Sequence, residues 1–121
     1  MRPVFDTNIL IDNLSGKKPA KDELDRFPRA RISIITWIEV MVGARGDQEA
    51  ARLREFLNGF ETIPLDDAVA EKAVYLRQRY RLRLPDAVIW ASAKTRDSLL
   101  ITRNVRDYPP KEPDIRVPYE L

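Results

Sequence analysis

The sequence predicts an α/β protein of three layers, with a central, mostly parallel sheet of four to five strands between helices. Two observations carry this. Short β-rich apolar runs alternate with longer segments whose apolar residues recur at helical spacing. The runs Val4-Phe5, Ile32 to Ile35 and Leu99 to Ile101 each give way at once to polar turn residues, as strands do where they leave a sheet.

Pro3-Val4-Phe5 reads as the first strand, and Asp6-Thr7-Asn8 turns the chain into an apolar helix holding Ile9, Leu10 and Ile11. Residues 15–19 are a loop by composition, and 20–27 form a short helix ended by Pro28. The second strand covers Ile32 to Ile35, after which Thr36 starts a helix through Met41. Asp47 is placed to cap a helix over roughly 48–58, closed by Gly59. A third strand runs from Glu61 to Leu65, and Asp66 caps a long helix with Val69, Ala73, Leu76 and Tyr80 on one face. Leu84-Pro85-Asp86 interrupts that run and opens a helix over 86–97. Leu99 to Ile101 is a strand. A proline-rich loop, 109–113, then leads to a last strand at Ile115 to Val117. With no repeat or linker, a single domain spanning 1–121 is expected.

Composition narrows the chemistry. The 121 residues contain no histidine and no cysteine, so a Ser-His-Asp or Cys-His centre and an ordinary zinc site are excluded. Any metal must be held by oxygen, which favours magnesium or manganese. Net charge is +2 from 21 basic and 19 acidic residues, so acids sequestered in one pocket would leave the rest of the surface basic. The sequence shows no signal peptide and no apolar run of membrane-spanning length, and a cytoplasmic location is expected.

The polar turns matter most. In a parallel sheet all strand carboxyl ends share one edge, where open α/β sheets bind ligands. Asp6 follows the first strand, Glu39 follows the second in Thr36-x-x-Glu39, and Thr102-Arg103-Asn104 follows the late apolar strand. Asp86 opens the helix before that strand, and so starts at the same edge. Each has a plainer reading. Asp6 can cap its helix, Thr36 with Glu39 fits a capping box, Asp86 is an ordinary first-turn acid, and Asn104 and Asp107 suit a turn. Their joint placement favours a site, because clustered acids repel one another and a divalent cation removes that cost.

The ordered set Asp6-Thr7-Asn8, Thr36-x-x-Glu39, Pro85-Asp86-Ala87-x-Ile89-x-Ala91 and Thr102-Arg103-Asn104-x-x-Asp107-Tyr108 resembles the PIN-domain ribonucleases, and in length and spacing the VapC toxins of toxin–antitoxin pairs. The resemblance covers nearly the whole chain. It implies a PIN-like (Rossmann-like) fold and an endoribonuclease dependent on Mg2+ or Mn2+. Asp6, Glu39 and Asp86 take the catalytic and metal-binding acid positions, with Asp107 a further metal ligand. Thr7, Asn8, Thr102 and Asn104 support the pocket. Asn104 stands where many relatives carry an acid. Arg103 and Arg106, in the same turn, are the candidates for RNA phosphate. The expected partners are an RNA substrate, a VapB-like antitoxin and a second copy in a homodimer. The Arg77–Arg83 run reads as a solvated face, and Trp37 and Trp90 as core or dimer contacts. The alternatives are a housekeeping PIN nuclease, an inert PIN-fold binding module, and a phosphate-accepting signalling domain. The last wants an acid pair after the first strand and a late lysine, where this chain has Asp6 alone and Arg103.

Overall fold

The computed structural model describes residues 2–109 and 111–121; Pro110, within the predicted proline-rich loop, lies outside them. Five strands form one sheet in the order β3-β2-β1-β4-β5: β1 Val4–Phe5, β2 Arg31–Ser33, β3 Glu61–Ile63, β4 Leu100–Ile101 and β5 Ile115–Arg116. Every pairing is parallel. The helices are α1 Thr7–Leu14, α2 Lys18–Arg26, α3 Ile34–Val42, α4 Asp47–Leu57, α5 Asp67–Tyr80 and α6 Leu84–Lys94.

The layering follows from the two-residue period of strand side chains. Val4 and Leu100 point into one core with Leu76, Ile89 and Trp90, under α5 and α6. Their neighbours Phe5 and Ile101 point into the other, with Ile9, Leu10, Ile32 and Leu57. Each central strand is buried on both faces, which is why it reads as an unbroken apolar pair. Trp90 is fully buried and its indole N–H donates to Asp114 Oδ2 at 2.9 Å, while Trp37 packs half-buried on the second core. No helix among the described residues is long and apolar enough to cross a membrane.

Several boundaries differ from expectation, each for a local reason. The second strand stops at Ser33, whose side chain accepts from the Ile35 N–H at 3.0 Å and so caps α3. Ile34 and Ile35 are helical despite their β-branching, because the cap and the packing outweigh propensity. Thr36 therefore lies inside the helix, and Thr36-x-x-Glu39 is not a capping box. Asp47 is the first residue of α4 and not its cap; that place is held by Gly46 at φ 90°, a conformation glycine adopts without strain. Pro19 and Pro85 lie inside the first turns of α2 and α6, which begin before the predicted starts because proline's fixed φ suits that position. Helix α6 ends at Lys94, earlier than predicted, and the chain turns through Asp97 at φ 51°. Asp66 caps α5 as expected, accepting from the Val69 N–H at 2.9 Å.

Candidate functional site

The chain runs outward from β1 to β2 and β3, then returns to place β4 on the other side of β1. The carboxyl ends of β1 and β4 therefore border the switch point, where a crevice opens in sheets of this kind. Asp6 and Thr102 are the residues that follow those two strands. They meet there: the Thr102 hydroxyl donates to Asp6 Oδ2 at 2.8 Å.

Asp6 is 4% exposed. Its Oδ1 accepts from the Thr7 N–H at 2.8 Å, so it also caps α1, and the two readings of this residue are compatible. Asn8 Nδ2 donates to the Thr102 hydroxyl oxygen at 3.1 Å and approaches Asp6 Oδ2 at 3.4 Å. Burial pushes the Asp6 carboxyl up to about 6, against the bonds from Thr102 and Thr7, and the charges of Asp86 and Glu39 push it the same way. A carboxylate this buried, with no cation bonded to it among the described residues, is held at a free-energy cost.

Glu39 projects from α3 toward the same edge. The Thr7 hydroxyl donates to Glu39 Oε1 at 2.7 Å and lies 2.9 Å from the Thr36 hydroxyl. A threonine hydroxyl has one proton, so Thr7 passes it to the carboxylate while Thr36 donates to Thr7. Asp86 is buried in the first turn of α6. Its pKa is raised, by burial first; Arg83 opposes the shift, and Asp107 and Glu39 add to it. Arg83 Nε donates to Asp86 Oδ2 at 3.1 Å and its Nη2 lies 3.7 Å from Asp107 Oδ2. Tyr108 is buried beneath, its hydroxyl 3.3 Å from the Asp86 carbonyl oxygen it donates to. Burial, with the charges of Asp6 and Asp86, raises its pKa well above normal.

The late turn divides its residues between tasks. Asn104 Oδ1 accepts from the N–H groups of Arg106 and Asp107 at 3.1 and 3.2 Å, and its Nδ2 donates to Asp107 Oδ2 at 2.7 Å. The amide thus shapes its own turn, and Asp107 is exposed at the rim beside Arg83. The Arg103 guanidinium, expected at RNA phosphate, is occupied within the protein: its Nε and Nη2 grip Asp12 at 2.5 and 2.9 Å, and Tyr119 donates to Asp12 Oδ2 at 2.8 Å. The Arg103 N–H donates to Asn8 Oδ1 at 3.1 Å, so this pair anchors the turn that carries Thr102. Arg106 is exposed and its side chain makes no bond among the described residues.

Sequence reasoning assigned no role to Asp12 or Tyr108, and read Arg83 as part of a solvated face, whereas it bonds Asp86. Arg83 is three residues before Asp86, a helical i,i+3 pairing hidden in an arginine-rich run. Tyr108 lies within the late motif. Nothing in the sequence marks Asp12, whose partners are 91 and 107 residues away.

All donors here are oxygens, as a hard divalent cation requires, and burial with the neighbouring acids raises the Asp6 carboxyl, a cost that a cation would relieve. The residues fit such an ion in chemistry. Among the described residues no three acids are already close enough together to hold one ion, so Asp6, Glu39 and Asp86 must draw closer to share it.

Residues 4–108 match the PIN domain family. The chain is 30% identical over 114 residues to "Ribonuclease VapC10" of Mycobacterium tuberculosis, a match covering 88% of this chain and 85% of that protein. Among solved structures, it is similar to a chain of a "Toxin-antitoxin complex from Klebsiella pneumoniae", with 46% identity, a TM-score of 0.92, and 98% and 99% of the two chains covered. A chain from VapBC2 of Rickettsia felis, bound to a promoter DNA fragment, shares the fold at 20% identity and a TM-score of 0.80, with 95% and 96% covered.

Proposed function

The chain belongs to the PIN domain family, and on that premise we propose that it is a VapC-like endoribonuclease, the toxin half of a toxin–antitoxin pair. The observation that carries the catalytic reading is the convergence of Asp6, Asp86 and Glu39, from three separate elements, on one sheet edge with Asp6 buried and its carboxyl raised. The likeness to the Klebsiella pneumoniae toxin–antitoxin chain supports the antitoxin partner.

Asp6 and Asp86 would be the principal ligands of Mg2+ or Mn2+, with Glu39 completing the set and Asp107 at the rim. A divalent ion bound there supplies a lowered pKa to a bound water and neutralises charge on the phosphoryl oxygens. The remaining steps belong to the protein. Thr102 and the Thr7 N–H fix both oxygens of Asp6, so its orientation precedes the substrate. Thr7, steadied by Thr36, holds one oxygen of Glu39 and leaves the other to orient the attacking water. Arg83 offsets the charge of Asp86 and Asp107 while the site is empty of substrate. Arg106, free and exposed in the late turn, is positioned to contact RNA phosphate, which positions the strand without reading its sequence.

A second copy would be received most readily by the apolar face along α5 and α6. An apolar cavity of about 460 Å³ lies along α5 and α6, with Leu65, Val74 and Leu84 exposed beside it.

Expression in a bacterial host tests the biological half of the proposal. Growth arrest by the wild type, relieved by co-expressing a VapB-like antitoxin and absent for Asp86→Ala, is the expected result. Normal growth on verified expression of the wild type would remove the toxin reading and leave a housekeeping nuclease.

A further inference from the structure

Among the described residues, Arg83 is the one cation bonded to the acids of the crevice, and it is bonded where a metal ion would be. It stands at the N-cap of α6, and its side chain caps nothing. That side chain is 72% exposed, yet it turns onto the acids: Nε donates to Asp86 Oδ2 at 3.1 Å, and Nη2 lies 3.7 Å from Asp107 Oδ2. Its pKa is raised, first by the bond to Asp86 and then by the charges of Asp86, Asp107 and Glu39, with burial acting against them. One guanidinium thus feels three of the four acids. No other arginine is so placed. Arg103 is held by Asp12, and the cations gathered around a cavity at the amino edge, Arg2, Arg31, Lys72, Lys94 and Arg96, lie at the far side of the sheet.

This placement sets Arg83 against the metal. An ion held by Asp86 would lie within a few ångströms of the guanidinium, where like charges repel. An exposed ion pair contributes little, so Arg83 is released from Asp86 at small cost. A plainer reading makes it a surface bridge that steadies the first turn of α6. Such an i,i+3 pair accounts for Asp86 alone. It has no need of Asp107, which arrives from the late turn and already accepts from Asn104 Nδ2 at 2.7 Å. Once released, Arg83 stays tethered to the start of α6, at the mouth of the crevice where the scissile phosphate must come. A guanidinium matches phosphate with two parallel hydrogen bonds.

Resting on the nuclease reading, we propose that Arg83 exchanges partners: it holds Asp86 and Asp107 while the crevice lacks metal, competes with a divalent cation for Asp86, and once displaced grips the phosphate of the bound RNA. One residue then weakens metal binding and strengthens substrate binding. The two ligands favour each other through it, and by linkage the coupling is reciprocal.

Calorimetric titration with Mn2+ in the absence of RNA, and initial rates of RNA cleavage at saturating Mn2+, test it on the wild type, Arg83→Gln, Arg83→Lys and Asp86→Ala. Arg83→Gln is expected to bind Mn2+ about tenfold more tightly, one repelling charge being gone. Its KM for RNA should rise about tenfold with kcat little changed, one charge-assisted contact being lost. The slope of log KM against log salt should become shallower by about one. Arg83→Lys keeps the charge without the fork, so it should bind Mn2+ as the wild type does and raise KM by less. A merely structural arginine would lower both affinities together or leave both alone. Mn2+ affinity that is unchanged or weakened in Arg83→Gln, or a KM that does not rise, would overturn the role of Arg83, even where Asp86→Ala abolishes Mn2+ binding and so upholds the metal site. A wild type that binds no Mn2+ or cleaves no RNA, or Mn2+ binding that survives Asp86→Ala, would overturn the nuclease reading and this role with it.

Discussion

The two edges of the same sheet are built on opposite electrostatic plans. At the carboxyl edge, Asp6, Glu39, Asp86 and Asp107 face one crevice, and Arg83 is the one cation bonded to them among the described residues. At the amino edge, five cations surround a cavity and three of them are already paired with acids. The difference follows from topology. Parallel strands deliver all their exit turns to one side and all their entry turns to the other, so a sequence of nearly balanced charge can separate its signs by placing acids in exit turns and arginines before strands. The acidic edge has buried Asp6 and Asp86 at a cost in stability, which is what a site kept for a cation requires. The basic edge has balanced most of its charge locally and, among the described residues, leaves Arg31 and Lys72 without an acid partner.

Breaking the acidic edge should have the largest effect. Asp86→Ala is expected to reduce metal-dependent RNA cleavage by more than about a thousandfold, the several kcal/mol that metal activation supplies. Lys72→Ala, at the other edge, should leave kcat unchanged, and initial-rate assays of the two variants side by side measure the contrast.

Next in size is the anchor behind the acidic turn. Asp12→Ala leaves the Arg103 guanidinium and the Tyr119 hydroxyl without their partner. Arg103 is partly exposed, so the cost falls below that of a fully buried pair, between about 2 and 3 kcal/mol, and a drop in Tm of roughly 10 °C in a melting experiment checks it. Asp12 has a lowered pKa: burial acts to raise it, but the bonds from Arg103 and Tyr119 and the charges of Arg103 and Lys17 prevail. Its contribution to stability is therefore full above the ordinary carboxylate range and is lost as pH falls through that range and below.

A smaller effect, of opposite sign, separates function from stability. The native Asp6 carboxyl, at about 6, is raised above its usual 3.8, so the folded state binds the proton more tightly than the unfolded one. Stability then falls as pH rises from about 4 to about 6, and the penalty is complete above that. The raised carboxyl sets an upper limit of about 3 kcal/mol on the gain from Asp6→Asn in metal-free buffer at neutral pH, and the bonds from Thr102 and the Thr7 N–H, which an amide accepts less well, reduce it to about 2 kcal/mol, vanishing toward pH 4. Denaturant melts at several pH values in EDTA read this out. The smallest change is Thr102→Val, which removes the donor to Asp6 Oδ2 and should weaken Mn2+ affinity about tenfold with little change in fold.

The sequence already contains most of this edge. Val4-Phe5 and Leu100-Ile101 announce buried strands because both side-chain faces are apolar, and the polar residue after each strand is then placed by topology alone. What could not be read was which of two adjacent candidates acts. Ser33 and Thr36 both suit a cap, and only packing decides that Ser33 takes it and frees Thr36 for Thr7. Asp47 lost its place to Gly46 because the entry into α4 needs a positive φ. Arg103 looked like a phosphate contact from its neighbours in sequence, but its partner, Asp12, arrives from the far end of α1. The amino-edge cavity left no motif, because each of its elements supplies only one or two cations.

The central claim is that Asp6 is the buried ligand around which a metal-dependent ribonuclease site is built. Cleavage of a fluorescent RNA by wild-type protein and by Asp6→Asn, each with Mn2+ and with EDTA, tests it most directly. Activity is expected only from the wild type with Mn2+, while the Asp6→Asn protein, folded and at least as stable, stays at the EDTA background. An Asp6→Asn protein that cleaves at close to the wild-type rate, or a wild type indifferent to EDTA, would contradict the claim.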